Sequence, residues 1–127
     1  MNATHLATEE KFKDLRVWQQ AHELTLLVYK ITKSFPDTER FALVSQMRRA
    51  AISVVANIVE GSKHRTTKDR IHFHVIANGS LEELKYYFIL SLDLGFINQK
   101  EQEDLLDLAR GVGAMLHGLT NALRSGV

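Results

Sequence analysis

Six histidines, fifteen acidic and sixteen basic side chains hold most of the reactive groups of this chain, and their spacing argues against catalysis. His72 and His74 lie two apart, so a helix points them to different sides, whereas a helical metal pair needs three or four. His22-Glu23 is followed by Leu26 where a zinc-protease pattern needs a second histidine. The Glu-x-x-His repeats with which helical bundles hold paired irons are missing. The absence of cysteine removes thiolate ligation and disulfides. Gly61-Ser62-Lys63 lacks the leading glycine and the spacing of a phosphate-binding P-loop. No spacing assembles a Ser-His-Asp set. The expectation is a non-enzyme with no metal site and no cofactor; a hydrolase would have to show bound metal or a perturbed carboxylate in a cleft.

What remains is anion contact. Gln46, Arg49, Ser53, Asn57 and Glu60 recur at steps of three, four, four and three, which is one stripe of a helix. Arginine and asparagine can contact phosphates and bases, and serine and asparagine are poor helix-interior residues that need a reason to be there. The same stripe also reads as a solvated face with local hydrogen bonds. A second group, Lys63, His64, Arg65, Lys68 and Arg70, surrounds a loop and the start of the next helix, where a phosphate can be held. An ordinary solvated loop would look the same. No aromatic residue is interleaved with it, so a stacking platform for single strands is not indicated.

The formal net charge is only +1, but its distribution is uneven. Between residues 40 and 70, Arg40, Arg48, Arg49, Lys63, Arg65, Lys68 and Arg70 face only Glu60 and Asp69. Between residues 82 and 107 the sign reverses, with Glu82, Glu83, Asp93, Glu101, Glu103, Asp104 and Asp107 against Lys85 and Lys100. Such asymmetry suits an acidic partner or head-to-tail self-association, or two neighbouring elements that neutralise each other. At 45% hydrophobic and 24% charged, 127 residues suit one domain with one core. No apolar run reaches membrane-spanning length, and Met1 to Asp14 lacks the apolar stretch of a signal peptide, so a cytoplasmic protein without membrane contact is expected.

These residues need helices to position them. The reading is all-α: an antiparallel up-down four-helix bundle over residues 14–127, preceded by a flexible N-terminal segment, 1–13. The first helix runs from about Asp14, a plausible N-cap, to Ser34, with Val17, Ala21, Leu24, Val28 and Ile31 on one stripe. Phe35-Pro36 ends it, and Asp37 or Thr38 caps the second helix. That helix ends at Gly61 as a left-handed cap. Ser62 to Thr66 is a loop, Thr66 or Thr67 caps a third helix reaching Leu94 and Gly95, and Asn98 caps the fourth. In the fourth, Leu105, Leu108, Val112, Met115, Leu119 and Leu123 form a stripe, and Gly111 and Gly113 allow close packing. Helices two and three are apolar over more than one face, which predicts a subunit interface built from them. Within those arcs sit two lone charges, Arg48 and Glu83, and the expectation is that they pair, within the bundle or across subunits.

Several segments carry a resemblance: Asp14-Leu15-Arg16-Val17-Trp18, Phe35-Pro36, Gln46-Met47-Arg48-Arg49-Ala50, Asn57-Ile58-Val59-Glu60-Gly61, Gly79-Ser80-Leu81-Glu82-Glu83 and Asp93-Leu94-Gly95. From about Asp14 to Leu123 the chain resembles the four-helix-bundle proteins encoded in intervening sequences of large-subunit ribosomal RNA genes. It is also similar to the accessory variability protein of diversity-generating retroelements. The resemblance implies a bundle that assembles as a homopentamer, and in the retroelement relative a basic barrel that binds nucleic acid and a reverse transcriptase. Arg48, Arg49, Asn57 and Glu60 are the matching polar positions. The functional expectation is a non-enzymatic oligomer that binds structured RNA or a nucleoprotein partner through Arg49, Asn57, Lys63, Arg65, Lys68 and Arg70. A protein scaffold without nucleic-acid affinity is the alternative.

Overall fold

The computed structural model describes residues 10–126. Among them are four long α-helices and no strand: α1 (Arg16–Thr32), α2 (Ser45–Lys63), α3 (Thr67–Asp93) and α4 (Gln99–Arg124). α1 packs on α2 and α4, α2 on α3, and α3 on α4, so the helices close a ring. The short connections make consecutive helices antiparallel, the up-down arrangement expected of a four-helix bundle. The expected flexible segment lies largely outside the described residues, but Lys11–Asp14 forms a 3-10 turn whose Phe12 ring packs edge-on against Trp18, 5.5 Å away. Asp14 therefore belongs to this turn, and Leu15, with no side-chain cap, precedes α1.

The core follows the apolar periodicity. α1 buries Val17, Ala21, Leu24, Val28 and Ile31, α2 buries Met47, Ala50, Ala51, Val54 and Ile58, and α3 buries Ala77, Leu81, Leu84 and Phe88. In α4 the seam is rotated from the expected stripe: Leu105, Ala109, Val112 and Leu116 are buried, Leu108 and Met115 only pack against the core, and Leu119 is 38% exposed. Close approach explains the rotation. Gln20 of α1 lies across Gly111, where a Cβ would fall 1.8 Å from its Nε2, and Leu81 Cδ2 of α3 lies 3.4 Å from a Cβ at Gly113. Burial of the large side chains supplies most of the stabilisation, each contributing about 1.5–3 kcal/mol.

Two caps are as expected. Thr66 accepts from the Asp69 amide, and Asn98 forms a capping box with Glu101. Gly95, at φ +78°, takes the left-handed turn after α3 that a side chain would oppose. The start of α2 differs from expectation. Neither Asp37 nor Thr38 caps it; a 3-10 turn, Asp37–Glu39, leads into a π-helical turn, Arg40–Val44, which runs straight into α2. The buried Phe35 ring meets Phe96, 5.4 Å away, and this contact anchors the chain beside Pro36. Gly61 also departs from expectation: α2 continues through it to Lys63, and Gly61 is buried in helical conformation. A Cβ there would lie 3.3 Å from Phe73 Cβ, so its small size serves the approach of α3 rather than a turn.

Candidate nucleic-acid interface

The expected polar residues form two groups, the stripe and the basic connection. Gln46, Arg49 and Ser53 of α2 line a shallow groove of about 200 Å³ together with Ser80 and Glu83 of α3. Here the helices approach on polar side chains, with Ser53 Oγ and Ser80 Oγ 2.7 Å apart. Asn57 donates to the Ser53 carbonyl at 2.8 Å and reaches the Ser53 hydroxyl at 3.3 Å. Ser53 is thus engaged in the α2–α3 contact and Asn57 in bonds within α2, while Gln46, Arg49 and Glu60 stay exposed.

The second group surrounds the connection His64–Thr66. Lys63, Arg65 and Lys68 are exposed, and among the described residues none of the three forms a salt bridge. Arg70 is half-buried and donates through Nε to the His64 carbonyl at 2.6 Å, closing the loop onto α3. The His64 ring stacks on Phe73 at 4.7 Å and lies 3.9 Å from both Glu60 and Asp69. The loop is therefore tied down from three sides, with its free cations pointing outward. Arg49 lies fourteen residues before Lys63 on the same helix, about 21 Å at 1.5 Å per residue. The groove and the loop are separate places on one helix.

Within the chain, Arg48 and Glu83 do not pair. Arg48 Nε donates to Thr32 Oγ1 at 3.0 Å, and its guanidinium lies over the Tyr29 ring, 4.5 Å from the centroid. Glu83 is exposed and accepts from the Tyr87 hydroxyl. Each charge has found a neighbour on its own or the adjacent helix, which removes the desolvation argument for pairing. The hydrogen bond to Glu83 raises the Tyr87 phenol to about 12, with burial and the Glu83 charge adding to it and Arg49 pulling the other way. Tyr87, Ser80, Tyr29 and Thr32 were not singled out in the sequence. Only Tyr87 carried a readable signal, its position four residues after Glu83.

At the far side of α3, His74 faces Thr120 of α4, with Nδ1 3.2 Å from Oγ1. Burial, with the Arg70 charge adding, holds its pKa below the ordinary imidazole value. Among the described residues no three histidine or carboxylate groups are placed to hold a metal ion, and no helix is long and apolar enough to cross a membrane.

Fold and surface together define an all-helical bundle with a basic interhelical connection. The sequence matches the 23S rRNA-intervening sequence protein family over residues 13–118, and the chain belongs to that family. Its fold is similar to the crystal structure of a protein of unknown function from the S23 ribosomal protein family of Bacteroides thetaiotaomicron. The TM-score is 0.76 at 20% identity, covering 83% of this chain and 95% of that one. Among curated proteins no match is found.

Proposed function

We propose that this chain is a non-enzymatic, cytoplasmic oligomeric module that binds structured RNA through the α2–α3 connection. The observation that carries the reading is the set of exposed cations Lys63, Arg65 and Lys68, which form no salt bridge among the described residues and stand on and beside a connection fixed by Arg70. Fixed cations meet phosphates without first giving up an internal partner, and the affinity they supply falls as salt rises. Arg49 and Asn57 in the groove add polar contacts further along the helix. Membership of a family described by a ribosomal RNA intervening sequence favours RNA over other polyanions.

Self-association, as a homopentamer, belongs to the same proposal. It is supported by apolar side chains left on the outside of α2 and α3: Ile52 at 48%, Val75 at 58%, Tyr86 at 56% and Ile89 at 47% exposure. The same surface favours the second reading, a scaffold whose partner is another protein. Binding of nucleic-acid-free protein to a structured RNA across a salt series separates the two. The RNA module shows affinity that declines steeply with salt and is lost in Arg65→Ala with Lys68→Ala at unchanged oligomeric mass. A wild-type protein that fails to bind at low salt leaves the scaffold.

A further inference from the structure

Among the described residues the bundle is not closed at the end that carries the α2–α3 connection. The last buried residue of α4 is Leu116, and α3 buries nothing before Ala77. Beyond these levels lies a cleft of about 580 Å³, bounded by the N-terminal 3-10 turn, the last turns of α2 and α4 and the first turns of α3. Gly61 and the exposed Ala122, whose side chain is only a methyl, stand among the lining residues. The walls are aliphatic, chiefly Ile58, Leu119 and Leu123, with the Phe12 ring at one side. Lys11, Lys63 and Arg70 stand among the lining residues, and among the described residues no carboxylate does. Arg70 spends its Nε on the His64 carbonyl, and its terminal nitrogens have no partner among the described residues.

A volume in the range of small-molecule pockets, apolar walls and charge of one sign specify the occupant. A cation is repelled, and a fully polar anion would strip water from the walls without replacing it with hydrogen bonds. A flat nucleobase needs edge partners, yet the Ser62 hydroxyl is already bonded to the Val59 carbonyl and His74 to Thr120. We propose that this end cleft binds an amphipathic anion of the fatty-carboxylate class, its alkyl chain along Ile58, Leu119 and Leu123 and its carboxylate between Lys63 and Arg70. The site is distinct from the RNA face, although Lys63 stands at the border of both.

Amide chemical-shift mapping of the full chain with decanoate, decan-1-ol and decyltrimethylammonium tests this. Decanoate is expected to bind saturably at one site per chain and to shift Gly61, Ser62 and Leu123. The alcohol should bind about tenfold more weakly and the cation not at all, since charge-assisted contacts to the carboxylate are missing. Ala122→Trp, which fills the cleft, should abolish decanoate binding and leave RNA affinity unchanged. Lys11→Glu, at an exposed position, should weaken decanoate about tenfold and serves as the second probe if the tryptophan disturbs the bundle. Equal binding of the three amphiphiles, shifts centred elsewhere, or full decanoate affinity in both variants would overturn the assignment. Decanoate binding without any RNA binding would remove the RNA reading and leave this one standing.

Discussion

Arg48 places its guanidinium carbon 4.5 Å over the Tyr29 ring while its Nε donates to Thr32 Oγ1, a buried hydroxyl on the last turn of α1. The Thr32 proton is spent on the Val28 carbonyl at 2.7 Å, so a lone pair is left for the guanidinium. Thr32→Val removes that acceptor and is expected to cost about 1–2 kcal/mol. Tyr29→Leu loses the ring face and about 0.5–1 kcal/mol. Urea unfolding of both variants, and of each combined with Arg48→Met, should show coupling between Arg48 and each partner. By contrast, Arg48→Met and Glu83→Gln should add within about 0.5 kcal/mol, since the two charges do not meet within the chain. A coupling well beyond that would restore a pairing between them, across subunits.

Tyr87 gives an alkaline signature. Its phenol is raised from the ordinary 10 to about 12 because the neutral hydroxyl donates to Glu83. The folded form thus holds the proton more tightly than the unfolded chain. The associated stability is fully present below pH 10 and is lost as pH rises toward about 12. Spectrophotometric titration should find one of the three tyrosines ionising later than the others, and Tyr87→Phe or Glu83→Gln should abolish that late step.

His74 gives the opposite limb. Burial, with Arg70 adding, lowers its pKa below 6.5, so the unfolded chain binds the proton more readily than the folded one. Its contribution is present above pH 6.5 and is lost as pH falls through the lowered folded value. Melting temperatures measured between pH 7.5 and pH 5 should decline less in His74→Gln than in the wild type. An identical decline would mean that the imidazole does not report on this contact.

The parts of the molecule that were legible in the sequence are those decided locally. Thr66 and Asn98 cap their helices because the acceptor, the spacing to Asp69 or Glu101 and the following periodicity all lie within one turn. The start of α2 was not legible, because Phe35 packs on Phe96 from outside the segment and the π turn at Arg40–Val44 is announced by no propensity. Gly61 was misread for a related reason: a glycine near the end of an apolar pattern suits a cap, but the close passage of Phe73 assigns it to packing. The candidate interface was half legible. Helical steps placed Arg49, Ser53 and Asn57 on one stripe but could not reveal that Ser80 waits opposite Ser53. A wheel also gives direction without neighbours, so Arg48 and Glu83 looked like partners until Thr32, Tyr29 and Tyr87 entered.

Two glycines of the bundle should respond in opposite directions to a side chain. At Gly118, in α4, a Cβ meets nothing within 4 Å, and the backbone is helical. Gly118→Ala should therefore stabilise by about 0.5–1 kcal/mol through reduced freedom of the unfolded chain. At Gly61 the Cβ already crowds Phe73, and Gly61→Val should destabilise by about 1–3 kcal/mol as α3 is pushed away. Denaturant midpoints at constant slope would read both.

The exposed apolar residues of α3 supply the test of assembly. Val75, Tyr86 and Ile89 fall within about 60° of one another on the helix, so they form one outward ridge rather than scattered contacts. None belongs to the buried core, and replacing them should leave the monomer fold intact. Light scattering of the wild type is expected to give a mass near five times 14.4 kDa. Tyr86→Glu combined with Ile89→Glu should reduce it toward a single chain while circular dichroism keeps its helical signal, because two unpaired carboxylates would be buried against the neighbouring subunit. A wild type that stays monomeric at high concentration would remove the oligomer. A double variant of undiminished mass would move the interface away from this ridge, toward Ile52 and the start of α2, where Phe41 stands 86% exposed.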